Sequence, residues 1–197
     1  MERYKIVKYS DLTNIQKNEL IEVFIAGFGH LMTFSKDKEQ LKRIFRNGMN
    51  EEYTFAYIEK DSVLGMVGIA TNKLRPIKFD KETCIEVLGK RKGSVVCKQM
   101  NSIFQSQVVK KDTDLYIDFL TTSEQARNRG VATKLLEYCF SLEGYQDYYI
   151  EVFSKNFNAK RLYEKLNFVP YKKQVLSPMR LLGYGYPIKM LRTIIDK

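Results

Sequence analysis

Between residues 114 and 153 the chain runs through a strand, a turn, a helix and a second strand in quick succession. Residues 114–121 (Asp-Leu-Tyr-Ile-Asp-Phe-Leu-Thr) carry the β-branched and aromatic side chains of a strand, and 148–153 (Tyr-Tyr-Ile-Glu-Val-Phe) do so again. A helix is predicted between them, from about Gly130 to Glu143, with Gly144 as its stop. Two strands joined through a helix in one sheet lie parallel, and the crossover is right-handed. This unit restricts the fold more than anything else in the sequence.

The flanking segments add antiparallel strands and helices. Thr13-Asn-Ile-Gln16 reads as a capping box that opens a helix through Ile15, Leu20, Val23, Phe24 and Phe28. Gly27 and Gly29 weaken the end of that helix. Ser35 is the expected cap of a second short helix that Asn47-Gly48 closes. Residues 53–59 and 63–71, separated by Lys60-Asp61-Ser62, form a hairpin. Residues 80–91 and 94–108 read as two modest helices. Asn158 begins a helix through Leu166, and Asn167 falls where a left-handed cap is expected. Residues 168–173 and 187–194 make a closing pair of strands, with Pro187 at a strand start. The expectation is one α/β domain over 1–197. Its central sheet is mixed and mostly antiparallel, with a parallel strand-helix-strand unit and flanking helices. Residues 72–111 form a helical insertion or a substrate-side segment.

Composition narrows the chemistry. No stretch reaches the roughly 18–20 apolar residues of a membrane span. The start, Met1-Glu-Arg-Tyr-Lys, lacks the apolar core of a signal peptide, so a cytoplasmic protein is expected. Cys84, Cys97 and Cys139 show no C-x-x-C spacing and read as small buried thiols, not as a disulfide framework or a zinc site. The single histidine, His30, leaves no room for a histidine-rich metal centre, and no metal is expected. The net charge of +10 is uneven. Residues 72–111 carry ten basic and three acidic side chains (+7), residues 112–150 three and seven (−4), and residues 151–197 ten and three (+7). Such blocks suit an anionic ligand, an acidic partner or nucleic acid, or a solvated lysine-rich surface.

The chemistry concentrates at Arg127-Asn-Arg-Gly-Val-Ala132, after a strand and opening a helix. Gly130 and Ala132 are small enough for a ligand to approach the backbone. The free N–H groups of a first helical turn and the helix dipole favour phosphate there. Arg127 and Arg129 add positive charge to a locally acidic block.

This run resembles the hallmark of the GNAT superfamily of N-acetyltransferases, Arg/Gln-x-x-Gly-x-Gly/Ala, at Arg127, Gly130 and Ala132. A second segment, Asn156-Phe-Asn-Ala159-Lys-Arg-Leu162-Tyr163-Glu-Lys-Leu166-Asn167-Phe168, is similar to the family's Asn, Ala and Leu-Tyr-Glu-Lys-Leu-Gly-Phe, with Asn167 in place of the glycine. Thr122 stands where a valine is common. The resemblance implies a GNAT-like acyl-CoA acyltransferase fold and acetyl-CoA as cosubstrate. The pyrophosphate would rest on Arg127, Asn128, Arg129, Gly130, Val131, Ala132 and Thr133. The pantetheine arm would pair with the strand edge at Leu120, Thr121 and Thr122, with Asn156 and Ala159 opposite. An amine would attack the thioester directly. Tyr163 matches the family's proton donor. Asp118 is the favoured carboxylate base, with Glu151 on the next strand as the other candidate.

The acceptor amine would lie between the N-terminal helices and the C-terminal loop, where Phe28, His30 and Tyr184 are the candidate contacts. No acidic cluster stands there, which argues against polycationic acceptors; Glu51, Glu52 and Glu59 are the nearest other acids. The expected activity is N-acetyl transfer to a primary amine. The alternatives are a non-catalytic acyl-CoA-binding module and an acetyltransferase acting on charged tRNA, although no recognised RNA-binding motif appears. A monomer or a homodimer is expected.

Overall fold

The computed structural model describes residues 4–194. Seven strands form one sheet in the order β1-β2-β3-β4-β5-β7-β6. They are β1 (Lys5–Lys8), β2 (Thr54–Glu59), β3 (Ser62–Ala70), β4 (Asp114–Thr122), β5 (Asp147–Phe153), β6 (Val169–Lys173) and β7 (Pro187–Thr193). Only the β4–β5 pair is parallel; the other five pairs are antiparallel. The helices are α1 (Asn14–Phe28), α2 (Lys38–Gly48), α3 (Lys81–Leu88), α4 (Lys90–Phe104), α5 (Val131–Phe140), α6 (Phe157–Lys165) and a single turn, α7 (Pro178–Leu181). The mixed, mostly antiparallel sheet is the expected one. Among the described residues no helix is long and apolar enough to cross a membrane.

Two apolar layers sandwich the sheet. One unites α1, α2, α3 and α4 around Leu20, Phe24, Phe45, Phe79 and Phe104, against Met66 and Phe119 of the sheet. The other packs α5 and α6, through Leu135, Leu136, Cys139 and Tyr163, on Val67, Leu115, Ile117 and Ile150. Strands β2 and β3 are covered on both faces, and nearly all of their residues are buried. Strand β5 instead alternates: Tyr148, Ile150 and Val152 are buried against α5 and α6, whereas Tyr149, Glu151 and Phe153 are only partly covered. That face of β5 is therefore half open.

Local signals place most element ends. Thr13 and Gln16 form the expected capping box. Asn167 is left-handed, at φ 63°. Three expectations need correction. Asp37, not Ser35, caps α2, accepting from the N–H groups of Glu39 and Gln40, while the Ser35 hydroxyl bonds to Gln40. Helix α5 ends at Phe140 instead of Glu143. Helix α4 runs from Lys90 to Phe104, not over 94–108, and only Gly89 separates it from α3. Strand β1 escaped prediction because four residues near a terminus give too short a pattern. Segment 72–111 shares the main core, since Phe79, Cys84, Cys97 and Phe104 all lie in the α1–α2 layer.

Candidate active site

The site begins where β4 and β5 part. Their parallel register runs from Asp114↔Asp147 to Ile117↔Ile150 and then stops. Strand β4 continues to Thr122, held by β3, and β5 continues to Phe153, held by β7. A register shift marks the fork: Gly68 faces Phe119 and Ile69 faces Ile117, so Asp118 has no partner on β3. An extra residue of this kind bends its strand and increases the local twist. The backbone of residues 118–122 is therefore left without a partner strand on its β5 side.

Beyond β4 the chain makes a tight turn that opens α5. Asn128 and Gly130 both take positive φ, 61° and 78°. A side chain on Gly130 would meet nothing within 4 Å, so the space above it is open to a ligand. Helix α5 starts there without a side-chain cap, unlike α1, α2, α3 and α6. The first-turn N–H groups of Val131, Ala132 and Thr133 thus have no partner within the helix. They point with the positive end of the helix dipole into the opening.

A cleft of about 530 Å³ joins this turn to the fork. Leu120, Thr121, Thr122, Arg127, Asn128, Gly130, Val131, Ala132, Thr133, Asn156, Ala159 and Tyr163 line it, as do Ala126, Asn158 and Leu162. The sequence reading missed the last three. Asn158 was within reach of it, being in the first turn of α6 two residues after Asn156. Arg129 is the exception among the expected phosphate-turn residues. It does not line the cleft, and its Nη2 lies 2.7 Å from Glu59 Oε1 on β2. The Asn156 side chain caps α6 by accepting from the Ala159 N–H.

Tyr163 is 6% exposed, yet it reaches the cleft wall. Its hydroxyl has no hydrogen-bond partner among the described residues, and burial raises its pKa, so it stays a protonated donor at neutral pH. The two candidate carboxylates differ. Both Asp118 oxygens are engaged by Arg75, from the loop between β3 and α3. Burial raises the Asp118 pKa and the guanidinium opposes that rise. Glu151 has no such clamp. Burial raises its pKa, Lys189 beside it on β7 pulls it down, and Asp118 pushes it up.

A second groove, about 360 Å³, opens next to the first and shares Asn156 with it. Phe28, His30 and Tyr184 line it together, with Phe153 and Lys155. The rings of His30 and Tyr184 lie 5.5 Å apart and those of Phe153 and Tyr184 5.8 Å. Gly27 makes this meeting possible, because any Cβ there would stand 2.3 Å from Thr121 Oγ1 and push α1 off β4. Glu51, Glu52 and Glu59 are elsewhere, paired with Lys17, Lys8 and Arg129. All three cysteines are buried and free. Burial pushes the Cys84 thiol up to about 12, which makes it a poor nucleophile. Among the described residues no group of three or more His, Cys, Asp or Glu is placed to hold a metal ion.

Comparison with known proteins bears on the family and the fold. The sequence profile described as the acetyltransferase (GNAT) family matches residues 18–168. No curated protein matches the sequence. Among solved structures, an N-acetyltransferase from Staphylococcus aureus Mu50 superposes with a TM-score of 0.63 at 15% identity, covering 95% of this chain and 100% of that one. The ribosomal-protein-S18-alanine N-acetyltransferase from Escherichia coli gives a TM-score of 0.57 at 15% identity, over 98% and 96%. The NatC complex bound to Gag peptide and CoA gives 0.58 at 14% identity, over 98% and 99%. At these identities the structures speak for the fold alone.

Proposed function

The chain belongs to the acetyltransferase (GNAT) family, and on that footing we propose that it transfers an acetyl group from acetyl-CoA to a primary amine by direct attack. One observation carries this reading: the β4–β5 fork, the uncapped start of α5 and Tyr163 all border a single cleft.

The residues fit the cosubstrate. The first-turn N–H groups of α5 and the open space above Gly130 suit a pyrophosphate. Arg127 is solvent-exposed, and its only ion pair among the described residues is a 3.5 Å contact with Glu124, so it is free to add charge there. The unpaired β4 edge at Leu120–Thr122 suits an amide-bearing arm, which would bond to it as an added strand does. Acetyl-CoA would supply the activated acetyl thioester.

The remaining chemistry falls to two side chains. An alkylammonium must lose a proton before its nitrogen can attack, and Glu151 takes it, directly or through water. Glu151 is preferred to Asp118 because Arg75 occupies both oxygens of the latter. Tyr163 gives a proton to the departing sulfur, a task for which a neutral phenol held in a water-poor wall is suited.

The test is a melting-temperature shift with acetyl-CoA, using ATP and NADH as controls, followed by thiol release over a panel of amines. A ligand that binds only the folded state stabilises it by about 2.7 kcal/mol at a hundredfold excess over its dissociation constant. A shift specific to acetyl-CoA with amine-dependent thiol release is expected. No shift at millimolar ligand would overturn the reading.

A further inference from the structure

Among the described residues, exposed large apolar side chains concentrate in one stretch, from β6 through α7. Val169, Tyr171, Val175, Leu176, Leu181 and Leu182 all stand in solvent there. Leu176 is 98% exposed and Leu181 91%. Leu176 immediately precedes Ser177, the cap of α7, and Leu181 is the last residue of that turn. Apolar side chains at these two positions often pack on each other across a helix start. Here both are left to water. Neither lines the cleft or the groove beside it. Exposed apolar clusters rimmed by polar residues mark contacts with a partner or a membrane.

The rim selects the partner by charge. Lys165, Lys172, Lys173 and Arg180 are exposed in the same stretch. None of the four has an ion-pair partner among the described residues. No acidic residue occurs between 165 and 195. A second copy of the chain on this surface would set these cations against their images, and like charges face to face oppose association. A peptide adding as a strand to the β6 edge would meet Pro170, which has no N–H, and the register shift beside it. A nucleic acid would satisfy the cations but not the leucines. A folded acidic partner would need a pocket for each projecting leucine. A bilayer bearing anionic lipid satisfies both sets. Its phosphates take the cations, and its hydrocarbon boundary takes leucines with no matched pocket. The same loop continues through Gly183 and Tyr184 into the groove wall, so docking here sets the groove near the lipid surface.

We propose that residues 169–182 dock the protein on the surface of a bilayer containing anionic phospholipid. Leu176 and Leu181 enter the boundary of the hydrocarbon, while Lys172, Lys173 and Arg180 meet the headgroups. The contact is peripheral and spans nothing. It goes beyond acetyl transfer and does not depend on it.

The experiment is co-sedimentation of the full chain with phosphatidylcholine vesicles, with and without phosphatidylglycerol, at low and high salt. Binding should require phosphatidylglycerol and weaken as salt screens the cations. Each Lys or Arg near an anionic leaflet strengthens binding by about fivefold, so Lys172→Gln with Lys173→Gln should weaken it by about 25-fold. Leu176→Ser with Leu181→Ser should weaken it by about tenfold or more, from the apolar surface no longer buried. The melting temperature of that variant should not change, because both side chains are exposed. The chain has no tryptophan, so Leu176→Trp supplies a reporter whose emission should shift to the blue on binding. No binding at low salt, equal binding to neutral vesicles, or a bound Leu176→Trp protein with unshifted emission would each overturn the proposal. So would binding that the leucine variant keeps in full, since charge alone attracts any anionic surface. A dimer that the leucine variant breaks apart would give the face to a second copy and overturn it as well.

Discussion

Arg75 grips Asp118 with two prongs, Nε to Oδ2 at 2.7 Å and Nη2 to Oδ1 at 2.9 Å, at the residue that the register shift between β3 and β4 leaves without a partner. The side chains are 9% and 8% exposed. The third nitrogen of the fork, Nη1, donates to the Ser106 carbonyl at 2.6 Å. One arginine thus ties the loop before α3 and the end of α4 to the point where the sheet opens. A carboxylate that would otherwise sit uncompensated in the bulge is neutralised.

The stability of this pair is a first prediction. Removing one partner of a buried ion pair leaves a desolvated charge and costs about 3–5 kcal/mol. Arg75→Met should lose stability on that scale in urea unfolding. Arg75→Met combined with Asp118→Asn should recover a large part of the loss, because the stranded charge is gone. If the two costs simply add, the pair is not coupled as described.

The phosphate turn makes a second. Gly130→Glu puts a carboxylate into the open space above the α5 N-terminus and forces a side chain into a left-handed conformation at φ 78°. The strain costs about 1–2 kcal/mol, which a domain of this size should survive. The folded variant, checked by circular dichroism, should show no thermal shift with acetyl-CoA. Wild-type affinity would remove the turn from the binding site.

Tyr163→Phe separates chemistry from packing. The ring that fills the wall beside Phe168 is kept, at a centroid separation of 5.9 Å in the native protein, and only the hydroxyl is lost. Turnover should fall by about 10²–10⁴-fold, the range for a lost general acid, with acetyl-CoA affinity changed little. Unchanged kcat would exclude the hydroxyl from proton transfer.

The pH profile reports on Glu151. Burial raises its pKa above the ordinary 4.5. A base must be deprotonated, so kcat/KM should fall as pH drops through that raised value, and Glu151→Gln should abolish this limb along with most of the activity. The same shift has a stability sign. A carboxyl with a folded pKa above its unfolded one favours the folded state below the unfolded value, and that contribution is lost as pH rises through the folded value. The wild-type protein should therefore lose stability relative to Glu151→Gln across that window. A profile in Glu151→Gln that keeps the acidic limb would assign the limb to another group.

The sequence alone determined what neighbours in the chain determine. The capping box at Thr13, the left-handed Asn167, the strand-turn-helix around Gly130 and the parallel unit it belongs to all follow from periodicity, caps and turn chemistry within a few residues. Twelve residues lining the cleft were named from the sequence, the turn around Gly130 by its local chemistry and the strand edge, Asn156, Ala159 and Tyr163 by what the family resemblance implies. Tertiary structure decided the rest. That Asp118 is spent on Arg75, 43 positions away, depends on a bulge created by sheet register. That Arg129 turns to Glu59, 70 positions away, depends on how the turn lies over β2. The meeting of Phe28, Phe153 and Tyr184 around Lys155 required α1 to press on β4 at Gly27 and the last loop to bond to the end of β5. Contacts across such separations are fixed by packing and pairing between elements, and no local pattern in the chain records them.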